Sequence, residues 1–295
     1  MAEDTREAVI GVIGGSGVYQ IDGLENTRWE TVPSSFGEPS DQLLFGELDG
    51  QALVFLPRHG RGHRFSPTEI NYRANIDAMK RAGVTDIISV SAVGSLKHEY
   101  APGHFVLVDQ FIDRTFAREK SFFGKGCVAH VSMAHPVSHR IVDALEAACL
   151  ELELPHSRGG TYLTMEGSQF STLAESKLYR SWGCDVIGMT NMPEAKLARE
   201  AEIPYATVAM VTDYDCWHPD HDHVTVEVVV RVLHANADKA RDLVKAAAPR
   251  LRRRPLIDHQ GGDRALDFAL ITHAEARDPE AVARLDAVAG RVLGG

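Results

Sequence analysis

Short apolar runs recur along the chain, over residues 8–13, 52–56, 86–90, 105–108, 185–187 and 205–211. Each is too short for a buried helix and rich in Val, Ile, Leu or Phe, which predicts strands buried on both faces. Between them, apolar residues fall at helical spacing over 70–82, 139–152, 172–182, 193–201 and 224–248. Pro193 followed by Glu194 suits a first helical turn, and Asn191 is a candidate cap for it. This alternation predicts an α/β fold with a largely parallel sheet covered by helices. Two more helices are expected over 263–272 and 279–293, joined to the body by the Pro- and Gly-punctuated stretch 255–262. The organisation expected is a tail over 1–7, one α/β domain over 8–250, and a helical extension over 251–295 packing on that domain. No internal repeat or long low-complexity linker interrupts it.

With 295 residues, 44% of them hydrophobic, the chain can bury a substantial core. Its formal charge of -10 argues against a nucleic-acid or membrane-surface partner. A small anionic ligand remains compatible, because a few local donors outweigh a distant, screened charge. The basic stretch 250–254 reads as a solvated turn. The first residues are acidic, and no apolar stretch approaches the roughly 18 residues that span a bilayer, so a cytoplasmic protein is expected. Cys127, Cys149, Cys184 and Cys216 are widely spaced and read as small buried hydrophobes rather than disulfide or zinc partners. His218, His221 and His223, with Asp220 and Asp222 among them, read as a polar surface loop in preference to a metal site. Neither metal nor cofactor is expected.

The candidate chemistry sits where strands end, the usual ligand position in open α/β sheets. Gly14-Gly15-Ser16-Gly17 offers amides and a hydroxyl to a phosphate. A dinucleotide is the competing ligand, but the G-x-G-x-x-G spacing is missing and Pro33-Ser34-Ser35 makes a poor second strand. Arg58 presents a fork of donors suited to an oxyanion, and His59 adds another. A surface turn whose arginine pairs with some carboxylate is the plainer alternative. Ser91 and Ala92 follow one strand; Met189 and Thr190 follow another. These groups include no nucleophile–base pair, which points to a bound anion such as inorganic phosphate rather than a covalent intermediate. Phe170 can lie against a flat base with Ser171 at its edge, or the two can serve as hydrophobic staple and helix cap. Finally, strand alternation would point Asp213 and Asp215 the same way, giving acceptors for the 6-amino group and protonated N7 of adenine. Otherwise one acid caps a turn and the other is solvated.

The ordered set Gly14-Gly15-Ser16-Gly17, Arg58-His59-Gly60, Asn71-Tyr72-Arg73-Ala74-Asn75, Glu166-Gly167-Ser168-Gln169-Phe170-Ser171, Met189-Thr190-Asn191-Met192-Pro193-Glu194 and Thr212-Asp213-Tyr214-Asp215-Cys216-Trp217 closely resembles the 5′-methylthioadenosine phosphorylases. These form part of the trimeric branch of the purine nucleoside phosphorylase superfamily. The resemblance runs from about residue 8 to 248. It implies a single α/β domain around a mixed sheet, assembled as a homotrimer with sites at the interfaces. It further implies phosphate contacts from Ser16, Arg58, His59, Ser91, Ala92 and Thr190, ribose contact from Met189, and purine contacts from Phe170, Ser171, Ile187, Asp213 and Asp215. His130, expected from a neighbouring subunit, would enclose the 5′-methylthio group together with Val226 and Val229. Two departures stand out: Ser168-Gln169 replaces the Pro-Arg or Pro-Gln of many relatives, and Gly188 replaces the Asn of the vertebrate enzyme.

The implied reaction is phosphate-dependent cleavage of S-methyl-5′-thioadenosine to adenine and 5-methylthioribose 1-phosphate. Asp213, its pKa raised by burial, would supply the proton at N7, and Asp215 would hold the 6-amino group. Arg58 is expected to be a free donor whose removal spares the fold. Two alternatives stay open: a phosphorylase for 6-oxopurine nucleosides such as methylthioinosine, inosine or guanosine, against which the Asp-Tyr-Asp segment argues, and a nucleoside-binding protein without catalysis.

Overall fold

The computed structural model describes residues 5–15, 18, 20–219, 226–258 and 262–294; the side chains of 226–231 and 233–235 lie outside that description. The chain begins with β1 (Thr5–Glu7), β2 (Ile10–Gly14), β3 (Glu25–Glu30), β4 (Leu43–Leu48), β5 (Gln51–Pro57) and helix α1 (Tyr72–Arg81). Next come β6 (Asp86–Ser95), β7 (Phe105–Leu107), β8 (Gln110–Asp113), α2 (His139–Glu151), β9 (His156–Arg158), β10 (Thr161–Thr164) and α3 (Leu173–Ser181). The remainder is β11 (Val186–Gly188), α4 (Asn191–Glu200), β12 (Tyr205–Asp213), α5 (Val226–Leu251), β13 (Arg253–Pro255), α6 (Pro279–Arg284) and α7 (Asp286–Leu293). Every strand expected from an apolar run is present.

The period-two pattern of those runs builds two core layers, one on each face of the sheet. Ile10, Val12, Leu53, Phe55 and Ile88 pack on one face against Leu145 of α2 and Val244 of α5. Ile13, Val54, Leu56 and Ile87 face the other way, onto Ile76 of α1, Leu197 of α4 and Val288 of α7. Each fully buried aliphatic of this kind stabilises the fold by about 1.5–3 kcal/mol. Helices α1 and α3 start on side-chain caps. Asn71 accepts from the Ala74 amide at 3.1 Å, and Thr172 and Glu175 form a reciprocal capping box on α3.

The main sheet has 11 strands and is mixed rather than largely parallel. β5, β2, β6 and β12 run parallel, but β3–β4–β5 is antiparallel, as are the β6–β11 and β7–β12 pairs. The antiparallel additions include β3, which is exposed along almost its whole length and has no apolar run to announce it.

β6 changes partner partway along. On one side it pairs with β12 over nearly its full length. On the other, β2 pairs with it through the register Ile13↔Ser89, and β11 takes over only at Ile187↔Gly94. Between those points no described strand covers Val90, Ser91, Ala92 and Val93 on that side. The sheet therefore holds an opening at its centre, reached from the ends of β2, β5 and β11.

Several expectations fail for tertiary reasons. Residues 263–272 form no helix. Gly262–Arg264 makes a single 3-10 turn, the Asp263 carboxylate is taken by Arg254 and the Asp258 amide, and Leu270 bridges to Ala129. The helical pattern over 279–293 breaks into α6 and α7 at buried Leu285. The basic stretch is no solvated turn: Arg254 is 1% exposed between Asp86 and Asp263, while Arg253–Pro255 pairs antiparallel with Thr5–Glu7. The stretch expected as a tail thus contributes a strand. Asn191 does not cap α4. It is fully buried, its amide Nδ2 donating to Ser89 Oγ and Thr207 Oγ1 at 3.0 Å each, and Met192 is extended, so helical geometry proper starts at Pro193.

Candidate active site

Three strands set the carboxylate side of the opening. The registers place Gly94 of β6 beside Ile187 of β11 on one side and Asp213 of β12 on the other. A Cβ on Gly94 would lie 3.0 Å from Asp213 Oδ1, 3.2 Å from Ile187 Cγ2 and 3.4 Å from Asp215 Cβ. The missing side chain is what lets these three groups converge.

The two acids meet through a turn, not through extended alternation. β12 ends at Asp213, the Asp215 amide donates to Asp213 Oδ1 at 2.8 Å, and Asp215 itself is left-handed with φ of 50°. Tyr214 swings out of the site, its hydroxyl donating to the His98 carbonyl at 3.1 Å. The Thr212 hydroxyl lies 2.7 Å from Asp213 Oδ2, so both Asp213 oxygens are engaged. Asp215 is 7% exposed, yet its Oδ2 has no hydrogen-bond partner. Burial pushes the Asp215 carboxyl up to about 6; the Ser176 hydroxyl works against that shift and the Asp213 charge with it. Burial also raises Asp213, opposed by the Thr212 hydroxyl and the Asp215 amide.

The loop before α3 adjoins this turn. Cys216 Sγ donates to the Ser171 carbonyl at 3.4 Å, and Ser171 Oγ lies 3.7 Å from Met165 Sδ. The cap of α3 is Thr172, which leaves the Ser171 hydroxyl free of that duty. Phe170 keeps 42% of its surface exposed. Buried Arg118 fastens this loop to the one after β11. It donates to the carbonyls of Met189 and Glu166 at 2.7 Å each and to Glu166 Oε1 at 2.9 Å. Burial opposes the Glu166 charge, but the Thr68 hydroxyl, the Phe116 and Ala117 amides and Arg118 together pull its carboxyl down to about 2.

Hydroxyls line the floor of the opening. Ser91 Oγ stands 3.1 Å from Thr190 Oγ1 and 3.0 Å from Tyr162 Oη, and Ala92 lies beside them in the uncovered part of β6. His59 differs from expectation. Burial pushes its pKa down to about 4 despite the Phe65 carbonyl, with Arg58, His63 and Arg118 adding to the shift. The neutral ring donates from Nδ1 to the Phe65 carbonyl at 2.9 Å, leaving Nε2 an acceptor rather than a donor.

Arg58 is neither a free donor nor a surface residue. Its side chain is 2% exposed, and Nε donates to Glu194 Oε2 at 2.7 Å while Nη2 donates to Glu194 Oε1 at 3.1 Å and Ser89 Oγ at 2.6 Å. Nη1 donates to the Val90 carbonyl at 3.1 Å. Burial works against the Arg58 charge; Glu194 outweighs it and raises the pKa above the ordinary arginine value. Such a pair leaves at most one Nη1 hydrogen for a ligand.

Other expected residues are not assembled here. Ser16, and with it His221, His223, Asp220 and Asp222, lie outside the described residues, as do the side chains of Val226 and Val229. Exposed His130 lines a separate cavity of about 390 Å³ with Phe123, Met133, Lys196 and Glu200. Among the described residues no His, Cys, Asp and Glu side chains group as metal ligands, and no helix is long and apolar enough to cross a membrane. Cys127, Cys149 and Cys184 are buried and free.

The chain belongs to the phosphorylase superfamily, whose sequence model matches residues 9–249. Within it, the chain is 69% identical over 294 residues to the S-methyl-5′-thioadenosine phosphorylase of Rhodospirillum rubrum, covering 100% of each chain. It is 63% identical to the enzyme of that name from Cereibacter sphaeroides, covering 98% of this chain and 100% of that one. A methylthioadenosine phosphorylase from an Antarctic soil metagenomic library superposes with a TM-score of 0.88 at 46% identity, covering 96% of this chain and 99% of the other. A variant of the Schistosoma mansoni adenosine/methylthioadenosine phosphorylase, solved with methylthioadenosine bound, superposes at 0.75 with 35% identity over 82% of this chain and 91% of its own.

Two outcomes are expected. Arg58→Ala should lower unfolding stability by roughly 3–5 kcal/mol, because it strands the Glu194 carboxylate in the interior, and Arg58→Met with Glu194→Leu should recover most of that. Urea denaturation reads both; a single-mutant loss under about 1 kcal/mol would show that the pair is not structural. Glu200 supplies the second. Burial raises its carboxyl from 4.5 to about 7, against the Phe122 amide and Ser121 hydroxyl. Below 4.5 it is neutral folded and unfolded. As pH rises to about 7, the unfolded chain ionises first, so stability should fall by on the order of 3 kcal/mol and then level off. Glu200→Gln should remove that share of the slope, leaving the part carried by Asp215 and Asp213; an identical pH profile for variant and parent would refute the assignment.

Proposed function

We propose that the strand-end cluster cleaves S-methyl-5′-thioadenosine with inorganic phosphate, releasing adenine and 5-methylthioribose 1-phosphate. The observation that carries this is the alignment of Ile187, Gly94 and Asp213 across three strands, with the buried Oδ2 of Asp215 lacking a donor. A buried carboxylate oxygen without a partner costs free energy that a ligand N–H recovers, and the 6-amino group of adenine is such a donor.

Phosphate lies against Ser91, Thr190 and the Ala92 amide, with Ser16 and His59 beside it. Neutral His59 accepts from a protonated phosphate oxygen at Nε2, and Arg58 contributes chiefly by holding Glu194, Ser89 and the Val90 carbonyl in place. The bound anion faces the ribose C1′ and stabilises the oxocarbenium-like charge that grows as the glycosidic bond breaks. Cleavage raises the basicity of N7. Asp213, whose pKa is raised, supplies or shares the proton there, and Asp215 Oδ2 accepts from the 6-amino group. Phe170 covers the base, Ser171 meets its edge, Ile187 lines it, and Met189 packs on the ribose. A 6-oxo base would set acceptor against acceptor at the acid pair, at a cost of about 2–4 kcal/mol, which favours the aminopurine over inosine-type substrates.

The 5′-methylthio group is enclosed by Val226 and Val229, and by His130 of a neighbouring copy in a homotrimer. The placement of His130 away from the acid pair in one protomer supports a site completed between subunits. The reaction needs no cofactor, and the enzyme works in the cytoplasm, where its free cysteines stay reduced.

Asp213→Asn retains size but loses the titratable proton and presents an NH₂ donor. It should lower kcat/KM for methylthioadenosine by about 10²-fold or more while shifting the ratio toward methylthioinosine by about tenfold. Rates for both substrates at saturating phosphate test this; equal slowing of the two, or none, removes Asp213 from the purine edge. Light scattering should show a trimer at assay concentration, and a fully active monomer would rule out the shared site.

A further inference from the structure

Tyr162 has no part in the reaction as derived above, yet its hydroxyl sits on the floor of the phosphate site. β10 delivers it there: Tyr162 is paired with Val186 and fully buried, with its ring centroid 6.0 Å from that of Phe111. Its Oη is 3.0 Å from Ser91 Oγ, which is in turn 3.1 Å from Thr190 Oγ1. The same oxygen fills the space over Gly188. A Cβ at that residue would come within 1.9 Å of Oη and 2.7 Å of Cζ. The Gly188 backbone is not in the left-handed region, so the tyrosine, and not the backbone, demands glycine there.

The three clustered hydroxyls carry three hydrogens, and an anion above them wants those of Ser91 and Thr190 turned outward. Left to themselves, two neighbouring hydroxyls satisfy each other, one donating to the other and one lone pair facing the ligand. A phenol is a stronger donor than an aliphatic hydroxyl, and burial raises the Tyr162 pKa, so the group keeps its proton throughout the working range. Either oxygen of the Tyr162–Ser91 pair can donate, and donation by the phenol occupies the acceptor side of that serine and sends the serine hydrogen onward.

We infer that Tyr162 is a positioning residue for the phosphate co-substrate: by donating to Ser91 Oγ it orients the Ser91–Thr190 hydroxyl pair toward the oxyanion, and residue 188 is glycine to admit it. The inference rests on the phosphate role proposed above for Ser91 and Thr190.

Tyr162→Phe removes the hydroxyl and keeps the ring. The expected result is a phosphate KM raised about five- to tenfold, with nucleoside KM within about twofold and kcat within about threefold of the parent. Ser91→Ala and Thr190→Val are measured beside it, and Ser91→Ala in the Tyr162→Phe background should raise the phosphate KM less than it does alone. If Ser91→Ala and Thr190→Val raise the phosphate KM while Tyr162→Phe leaves it unchanged, the positioning role is wrong and the phosphate site stands. If none of the three moves it, the phosphate site itself is misplaced and this inference falls with it. A Tyr162→Phe variant that loses thermal stability and raises both KM values in parallel would mark the hydroxyl as a packing element only.

Discussion

A guanidinium withdrawn from water must be met by a carboxylate, and the meeting of Arg58 with Glu194 organises the centre of this protein. Arg58 follows β5 and Glu194 lies in the first turn of α4, 136 residues apart. Ser89 of β6 donates to Glu194 Oε1 at 2.7 Å and Tyr205 of β12 donates to it at 2.9 Å, so four segments share one charge pair. Asn191 ties into the same network through Ser89 and Thr207. Buried pairs of this kind add little net stability compared with apolar packing, but they tolerate few alternative arrangements. Ser91 sits two residues past Ser89, and Thr190 immediately before Asn191. The positions of both hydroxyls therefore follow from satisfying a charge that neither of them touches.

The second constraint is the change of partner along β6. A parallel strand flanked on both sides buries its backbone groups in ladders, whereas β6 is left open between the register of β2 and that of β11. Ligand sites in open α/β sheets lie where the topology switches, and here that switch falls within one strand rather than between two. It places hydroxyl-bearing Ser91 and side-chain-free Gly94 three residues apart on the same rigid element. The distance between the Ser91 hydroxyl and the acid pair is thus set by strand geometry.

Much of this was legible in the chain. Apolar runs located the central strands because burial on both faces leaves few residue types possible. The acid pair was visible as a pair. What the sequence could not reveal was where polar side chains find partners across long separations. Arg58 looked like a free donor because Glu194 is remote in sequence, and Arg254 looked solvated although Asp263 lies nine residues on and Asp86 far before it. Asn191 had a capping residue's composition and neighbourhood, but Ser89 and Thr207 from two strands claimed its amide. The stretch 263–272 had helical spacing, yet Asp263 and Leu270 were drawn into contacts that a helix could not provide. Tyr162 carried no motif at all and no strand was expected over 161–164; only the register of β10 against β11 reveals where the hydroxyl goes.

The unpaired oxygen of Asp215 has a consequence for the end of the catalytic cycle. On the proposed reading, the donor it awaits is the exocyclic amine of the base, which is untouched by the chemistry and present alike on nucleoside and free adenine. An interaction made equally before and after bond cleavage cannot lower the barrier between them. Under that reading it would tighten the hold on the departing base as much as on the arriving one, coupling selectivity for the aminopurine to retention of adenine. Recognition of the base would then carry a cost at product release, relieved by whatever removes adenine from solution.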